Sequence, residues 1–288
     1  MKLPPFAYVR ARTVDEALAL LGEAGEGAKL LAGGQSLVPV LAYRLFRPTH
    51  LVDVDSVTGL DGIAVGNGAL EIGALVRHAR LERARFDGAH RLLALAASHI
   101  GHVPIRARGT LGGSLAHADP AAELPVAALA LDARVVARSS RGEREVAVGR
   151  FLLGPFTTAL EPDEMVVALR VPPAAPGSHA GFREFAVRSG DFALASAGVV
   201  VACDEQGAVT SARIVVGGVE PVPRRMSDAE DVLIGELLRA DTIAAVAGAA
   251  SVSCEAVGDR NVDADTRRDL VAALVRAALI DVQAEVAA

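Results

Sequence analysis

Hydrophobic and polar positions in the first fifty residues follow the pattern of a β–α–β unit. Thr13 and Glu16 have the spacing of a helix capping box, and the apolar positions that follow fit one face of a helix. The short apolar run 29–32 predicts a buried strand that ends at a glycine pair. Residues 36–45 fit a short helix and residues 50–54 a further strand. We therefore expect strand, glycine loop, helix and strand in that order.

The middle of the chain contains two hairpin patterns and several apolar helices. The hairpins pair 63–65 with 69–73, and 133–137 with 143–148. The helices are predicted over 77–83, 91–98 and 124–131. Between the last two helices, residues 101–125 are rich in glycine and show no regular period. Long irregular segments in a small domain are usually functional, so we expect a functional loop there.

A proline-rich stretch at 172–177 marks a change in pattern. Three strands are predicted after it, over 182–188, 197–203 and 212–217. A helix is expected from Ser227, and residues 270–284 form a strongly amphipathic helix. Strands followed by helices predict an α+β second domain.

Composition narrows the function classes. The chain has 288 residues, 51% of them apolar and 22% charged, which is typical of a globular protein of one or two domains. Its net charge of −6 and its low aromatic content argue against nucleic-acid binding. No apolar run is long enough to cross a bilayer, and the first residues lack a signal-peptide pattern. We therefore expect a cytoplasmic protein.

No catalytic or metal-binding set is visible. Cys203 and Cys254 are far apart, which excludes an iron–sulfur cluster or structural zinc within this chain. His99, His102 and His117 lack partners at metal-ligand spacing, and no Ser/His/Asp arrangement is convincing. The glycine motifs of dinucleotide-binding Rossmann folds and of P-loops are also absent.

Two glycine pairs, each followed by a hydroxyl residue, are the strongest candidates for a ligand site. They lie at 32–37 (AGGQSL) and 110–114 (TLGGS). Glycine lets backbone N–H groups approach an anion closely, so the two loops together suit a pyrophosphate. The alternative is that both are tight turns. Asp119 and Glu123 follow the second loop and suit ribose or ribityl hydroxyls; the alternative is an Asp-Pro turn and a glutamate favoured at a helix N-terminus.

Five segments together resemble a known family. AGGQSLVPVLAYRLFRPTHLVDV (32–54) and RARGTLGGSLAHADPAAELP (106–125) resemble the FAD-binding medium subunit of molybdenum hydroxylases, the carbon monoxide dehydrogenase and xanthine dehydrogenase family. GPFTTALEPDE (154–164), RSGDFALASAGVVV (188–201) and GGVEPVPRR (217–225) extend the resemblance along the chain.

The resemblance implies an α+β fold with a two-subdomain FAD-binding domain of the vanillyl-alcohol oxidase (PCMH) type. That domain would cover 1–176, with subdomains of about 1–55 and 56–176. A small α+β C-terminal domain with a three-stranded sheet and helices would cover 177–288. The implied FAD-binding residues are Lys29, Ala32, Gly33, Gly34, Gln35, Ser36, Leu37, Thr110, Gly112, Gly113, Ser114, Asp119, Glu123, Arg188 and Phe192. Phe192 would lie near the flavin ring; the alternative is a core phenylalanine.

The resemblance also implies a role in electron transfer. A large subunit would hold the molybdenum cofactor and a small subunit two [2Fe-2S] clusters, in a dimer of heterotrimers. This chain would pass electrons through FAD to an external acceptor, without a catalytic side chain of its own. The alternatives are a free-standing FAD-dependent oxidase and a scaffold subunit without flavin.

Overall fold

The computed structural model describes residues 3–260 and 262–287. The strands, in chain order, are β1 (Ala7–Arg10), β2 (Ala28–Leu31), β3 (His50–Asp53), β4 (Ile63–Gly66), β5 (Ala69–Gly73), β6 (Arg134–Ser139), β7 (Gly142–Ala147), β8 (Leu152–Gly154), β9 (Thr157–Thr158), β10 (Met165–Val171), β11 (Ser178–Phe185), β12 (Ala195–Cys203), β13 (Val209–Gly217) and β14 (Arg224–Arg225). The helices are α1 (Val14–Ala24), α2 (Leu37–Ala42), α3 (His78–Arg83), α4 (Leu92–His99), α5 (Val103–Arg108), α6 (Leu111–His117), α7 (Glu123–Ala130), α8 (Val148–Phe151), α9 (Ser227–Leu233), α10 (Ala240–Ser253) and α11 (Ala264–Val286).

The N-terminal unit is the β–α–β arrangement that the pattern predicts. Strands β1, β3 and β2 form a parallel sheet in that order, with α1 and α2 in the crossovers. The Thr13 cap of α1 is confirmed, because its hydroxyl accepts a hydrogen bond from the Glu16 N–H at 3.1 Å. The Glu16 carboxylate accepts its bond from the Arg12 N–H at 2.8 Å, one residue before the cap, so the reciprocal half of the capping box is shifted. The first glycine loop follows β2 in this sheet and connects it to α2.

A five-stranded antiparallel sheet, in the order β4-β5-β10-β6-β7, forms the second unit of the first 171 residues. Both predicted hairpins, β4–β5 and β6–β7, are present. The segment 101–125 differs from the prediction, because it is largely helical and contains α5, α6 and the start of α7. Helices of six and seven residues are too short to show a clear period, and here the fully buried Leu111 and Leu115 and a side-chain cap from Thr110 stabilise α6.

The C-terminal unit is an antiparallel sheet in the order β11-β12-β13-β14. It contains three long strands, as predicted, and the two-residue β14 extends it. The first strand begins at Ser178, four residues before the predicted start. Helices α10 and α11 form one core with this sheet, whereas α4 and α7 pack on its opposite face. Strand β12 is therefore apolar on both faces. Among the residues described, no helix is long and apolar enough to cross a bilayer.

Candidate functional site

The two glycine loops lie side by side. The first follows β2, and the second contains the N-terminus of α6. Gly33 faces the backbone of Arg108 and Gly109, immediately before the second loop. A Cβ at Gly33 would overlap the Arg108 carbonyl and would lie 2.8 Å from its carbon. Any other residue at this position would push the loops apart, because that neighbour is backbone and cannot rotate away.

The first loop presents unused backbone donors. Within the described part of the chain, the consecutive N–H groups from Gly33 to Leu37 donate to no protein acceptor. Gly34 adopts a φ of +72°, which turns the chain between β2 and α2. The Gln35 side chain donates to the Gly33 carbonyl at 3.0 Å and braces the turn. A run of free N–H groups in such a turn is a concave donor surface that favours an anion.

The second loop uses its backbone donors within the protein. Leu111 N–H donates to Val76 O at 2.9 Å, and Gly112 N–H donates to Ala74 O at 2.8 Å. Gly113 N–H donates to the Thr110 hydroxyl at 3.2 Å. The two loops therefore differ, although the sequence suggested similar roles. The second loop can offer the Ser114 hydroxyl, but its glycines serve mainly in close packing; a Cβ at Gly112 would lie 2.5 Å from the Ala74 Cβ.

A buried histidine that the sequence did not indicate supports the second loop. His78 Nε2 lies 2.9 Å from the Thr110 carbonyl oxygen, while Nδ1 is buried without a partner among the residues described. Burial lowers the pKa of His78 to about 4, so the ring is neutral at neutral pH. Nε2 then carries the proton and donates to the carbonyl. No sequence pattern distinguishes this histidine, because its role depends on a contact across 32 residues.

Lys29 and the C-terminal end of α6 meet beside the loops. The Lys29 ammonium lies 5.9 Å from the centroid of the Phe46 ring. The pKa of His117 is lowered, mainly by burial and further by the Lys29 charge, while Asp119 opposes the shift. Asp119 also accepts a hydrogen bond from Ala121 N–H at 2.9 Å, so one of its oxygens forms the turn considered as the alternative. Lys29 and Asp119 therefore share one neighbourhood with the second loop.

Glu123 is the first residue of α7 and is buried. Its pKa is raised to about 8, first by burial and then by the nearby carboxylate of Glu184 on β11. Glu123 therefore keeps its proton at neutral pH. A neutral carboxyl group both donates and accepts hydrogen bonds, so it can pair with a hydroxyl group in either direction.

A cleft of about 420 Å³ separates residues 98–106 from residues 184–190. Arg188 lies on this cleft, and its guanidinium has no ion-pair partner within the described ranges. Arg106 also lines the cleft, but its guanidinium is bound to Glu82 at 2.8 Å. Phe192 is 75% exposed, so the alternative of a core phenylalanine is wrong, and the residue does not line the cleft.

The described residues contain no group of three or more side chains that could hold a metal ion. Cys203 is half-buried and Cys254 is buried, and both are free thiols. The polar groups around the two loops are backbone N–H groups, hydroxyls, one lysine and carboxyls. Such a set suits an organic anion that carries hydroxyl groups.

Comparison with known proteins gives consistent matches along the chain. Residues 4–174 match the family model described as the FAD binding domain in molybdopterin dehydrogenase, and residues 180–282 match the CO dehydrogenase flavoprotein C-terminal domain. Subunit alpha of the 6-hydroxypseudooxynicotine dehydrogenase complex from Paenarthrobacter nicotinovorans is 44% identical over 280 residues, covering 97% of this chain and 95% of that protein.

Two further matches support the same assignment. The carbon monoxide dehydrogenase medium chain of Hydrogenophaga pseudoflava is 34% identical over 277 residues, covering 96% of each chain. The solved structure of carbon monoxide dehydrogenase from Hydrogenophaga pseudoflava lacking the Mo-pyranopterin moiety superposes with a TM-score of 0.92 at 36% identity. That match covers 97% of this chain and 98% of the other.

Proposed function

The chain belongs to the family of FAD-binding medium subunits of molybdenum hydroxylase complexes, and we propose that its loop 32–37 binds the pyrophosphate of FAD. The family resemblance, the α+β fold class and the role as the FAD-carrying electron-transfer subunit of an oxidoreductase are confirmed. The alternatives of a free-standing oxidase and of a flavin-free scaffold are not favoured by any feature of the structure.

The unused N–H groups from Gly33 to Leu37 carry this proposal. They form the concave donor surface in this part of the chain, and the Ser114 hydroxyl is the neighbouring donor on the second loop. A diphosphate needs donors of this kind, because backbone N–H groups bind anions without a change in protonation. The close approach of Gly33 to the backbone of Arg108 and Gly109 keeps both loops close enough to act on one ligand. Gly112 holds the second loop against Ala74.

The remaining site residues have complementary roles in this proposal. Lys29 supplies positive charge near the pyrophosphate, and Asp119 and Glu123 accept or donate hydrogen bonds with ribose or ribityl hydroxyls. Arg188 supplies a second positive charge on the cleft, and the exposed Phe192 lies on the same connection between β11 and β12. The full proposed set is Lys29, Ala32, Gly33, Gly34, Gln35, Ser36, Leu37, Thr110, Gly112, Gly113, Ser114, Asp119, Glu123, Arg188 and Phe192.

The protein's task in this mechanism is to position the cofactor. Bound FAD supplies the redox chemistry, since it exchanges electrons one at a time or in pairs. The loop donors fix the diphosphate, while the buried Glu123 and the packed second loop exclude water from the hydroxyl-bearing part of the site. We assign no substrate-converting step to this chain.

A matched pair of glycine variants tests the site. Gly33→Ala adds one methyl group where the Arg108 carbonyl already stands, whereas Gly22→Ala adds the same group on α1 with nothing within 4 Å. We expect Gly33→Ala to weaken FAD binding at least about tenfold, or about 1.4 kcal/mol, and Gly22→Ala to leave it unchanged. Fluorescence titration with FAD measures both.

A second variant keeps the test valid if Gly33→Ala does not fold. Ser114→Ala removes one hydroxyl without a packing conflict, and we expect a smaller loss of FAD affinity, of about 0.5–1.5 kcal/mol. FAD binding at the wild-type affinity in folded Gly33→Ala and in Ser114→Ala would contradict the assignment of the pyrophosphate to these loops.

We further propose that the chain assembles with a small subunit carrying two [2Fe-2S] clusters and a large subunit carrying the molybdenum cofactor, as a dimer of heterotrimers in the cytoplasm. The relatives' names describe subunits and medium chains of larger enzymes, and both cysteines here are free thiols, as in a reducing compartment. Co-expression with the two candidate partner chains and mass measurement of the purified complex test the stoichiometry.

The domain division we propose places the FAD-binding domain at 1–176, with subdomains of about 1–55 and 56–176, and the C-terminal domain at 177–288. This boundary falls in the connection between β10 and β11. Limited proteolysis at low protease concentration tests it, because the first cleavage is expected in an exposed connection.

A further inference from the structure

Two buried carboxyl groups connect the proposed cofactor site, which includes Glu123, with the cleft, which Glu184 lines. Glu123 is 8% exposed, and the side chain of Glu184 is also 8% exposed. The other charged group that acts on Glu123 is Asp119, which is also acidic. No positive charge therefore balances this pair from α7 or from the turn before it.

Glu184 connects the pair to the cleft through His99. Its Oε1 lies 3.6 Å from His99 Nδ1, a separation that a small rotation of the ring closes to hydrogen-bond distance. Its Oε2 is buried and has no hydrogen-bond partner among the residues described. The His99 ring packs on Phe182 at 5.3 Å and is 35% exposed at the cleft. The three groups thus extend from the buried start of α7 to an open surface.

Glu123 is buried and lies within electrostatic reach of the Glu184 carboxylate, so Glu123 retains its proton at neutral pH. The raised pKa of Glu123, about 8, agrees with this arrangement. The other cleft groups are His102, Arg106 and Arg188. Arg106 is occupied by Glu82 and by the carbonyl oxygens of Ile100 and Gly101. His99 is therefore the titratable cleft residue in contact with Glu184.

We propose that Glu123, Glu184 and His99 carry protons between the cleft and the bound FAD, an inference that rests on the proposed function. Full reduction of FAD takes up two electrons and two protons. The electrons come from a reduced iron–sulfur partner, and the carboxyl pair passes each proton on and regains it from solvent through His99. When the flavin gives its electrons to an acceptor, the protons return along the same groups.

Infrared spectroscopy tests, without any cofactor, whether Glu123 is a buried protonated carboxyl group. We expect the full chain, measured free of FAD at pH 6, to show the carbonyl band of a buried protonated carboxyl, and Glu123→Gln to lack it. The band should disappear as the pH rises through about 8. Its absence from the wild-type chain at pH 6 would overturn the inference and would leave the FAD site unaffected.

Rapid reduction of the FAD-loaded chain by dithionite tests the path. We expect Glu184→Gln and His99→Ala to lower the limiting reduction rate at least about tenfold, since positioned acids and bases contribute about 10²- to 10⁴-fold. Imidazole in solution should restore His99→Ala, because it replaces the lost proton carrier. The wild-type rate should be lower in D₂O than in H₂O.

A matched histidine–glutamate pair provides the control. His179 Nδ1 lies 3.6 Å from Glu285 Oε2, and both side chains are 28% exposed. His179→Ala and Glu285→Gln should therefore reduce at the wild-type rate. Wild-type reduction rates in FAD-loaded Glu184→Gln and His99→Ala would refute the path alone. Failure of the wild-type chain to bind FAD would refute the cofactor site and the path with it.

Discussion

Replacement of Glu123 by glutamine should remove a large decrease in the free energy of unfolding that the wild-type chain shows as the pH rises from 6 to 9. The folded chain holds the Glu123 proton up to a pKa of about 8, against an ordinary value of 4.5. The unfolded chain releases this proton near the ordinary value, so the folded state binds more protons between the two. The stabilising effect of this proton is therefore complete below pH 4.5 and is lost as the pH rises towards 8.

The size of this loss follows from the separation of the two pKa values. The full effect is about 5 kcal/mol at 1.36 kcal/mol per pKa unit, and about 2.5 kcal/mol of it falls between pH 6 and pH 9. The substituted glutamine side chain carries no charge at any pH. We therefore expect the free energy of unfolding of Glu123→Gln to decline less than that of the wild type over this range, by about 2.5 kcal/mol.

Urea unfolding at several pH values measures this difference. The exposed Glu205→Gln, in the turn between β12 and β13, controls for the loss of one carboxylate. Other groups that titrate near pH 9 contribute equally to all three proteins and cancel. Parallel stability curves for the wild type and Glu123→Gln between pH 6 and pH 9 would refute the buried, protonated state of Glu123.

Three further outcomes follow from the described contacts. The pKa of His78 is lowered to about 4, so the free energy of unfolding should fall by about 3 kcal/mol as the pH decreases from 7 to 4. Urea unfolding of His78→Gln should not show this decrease. Glu230→Ala should lower the free energy of unfolding by about 2–3 kcal/mol, because the buried Ile214 N–H and the half-exposed Arg225 lose their acceptor. At pH 8 a thiol reagent should label Cys203 before Cys254, whose pKa burial raises to about 11; mass spectrometry of peptides gives the order.

Elements with their own local signals were predictable from the sequence. The capping box at Thr13 and Glu16 gave α1, and turn residues between apolar runs gave both hairpins. The proline-rich stretch 172–177 lies between β10 and β11, where the antiparallel sheets change. These features depend on neighbours within a few residues, so their physical causes are visible in the sequence itself.

Features that depend on distant partners were not predictable. Helices α5 and α6 are too short to have a clear period, and packing and a side-chain cap stabilise them. The carboxylate of Glu184, on β11, acts on Glu123 at the start of α7, an effect between distant parts of the sequence that no local pattern shows. Strand β11 also begins four residues before the predicted start. Similarly, the glycine pairs look alike in sequence, and their different use of backbone N–H groups depends on Val76 and Ala74.

In the proposed FAD site, this difference between the loops lets backbone donors hold the diphosphate beside a single lysine. Neutral N–H groups from Gly33 to Leu37 provide the donors, and Lys29 adds a single charge at one side. An ionised Glu123 would repel the anionic diphosphate in a buried site, where repulsion is poorly screened. The proton retained by Glu123 removes this repulsion and leaves a group that can donate to an oxygen. Glu123 is therefore compatible with a nearby anionic cofactor because it stays protonated at neutral pH.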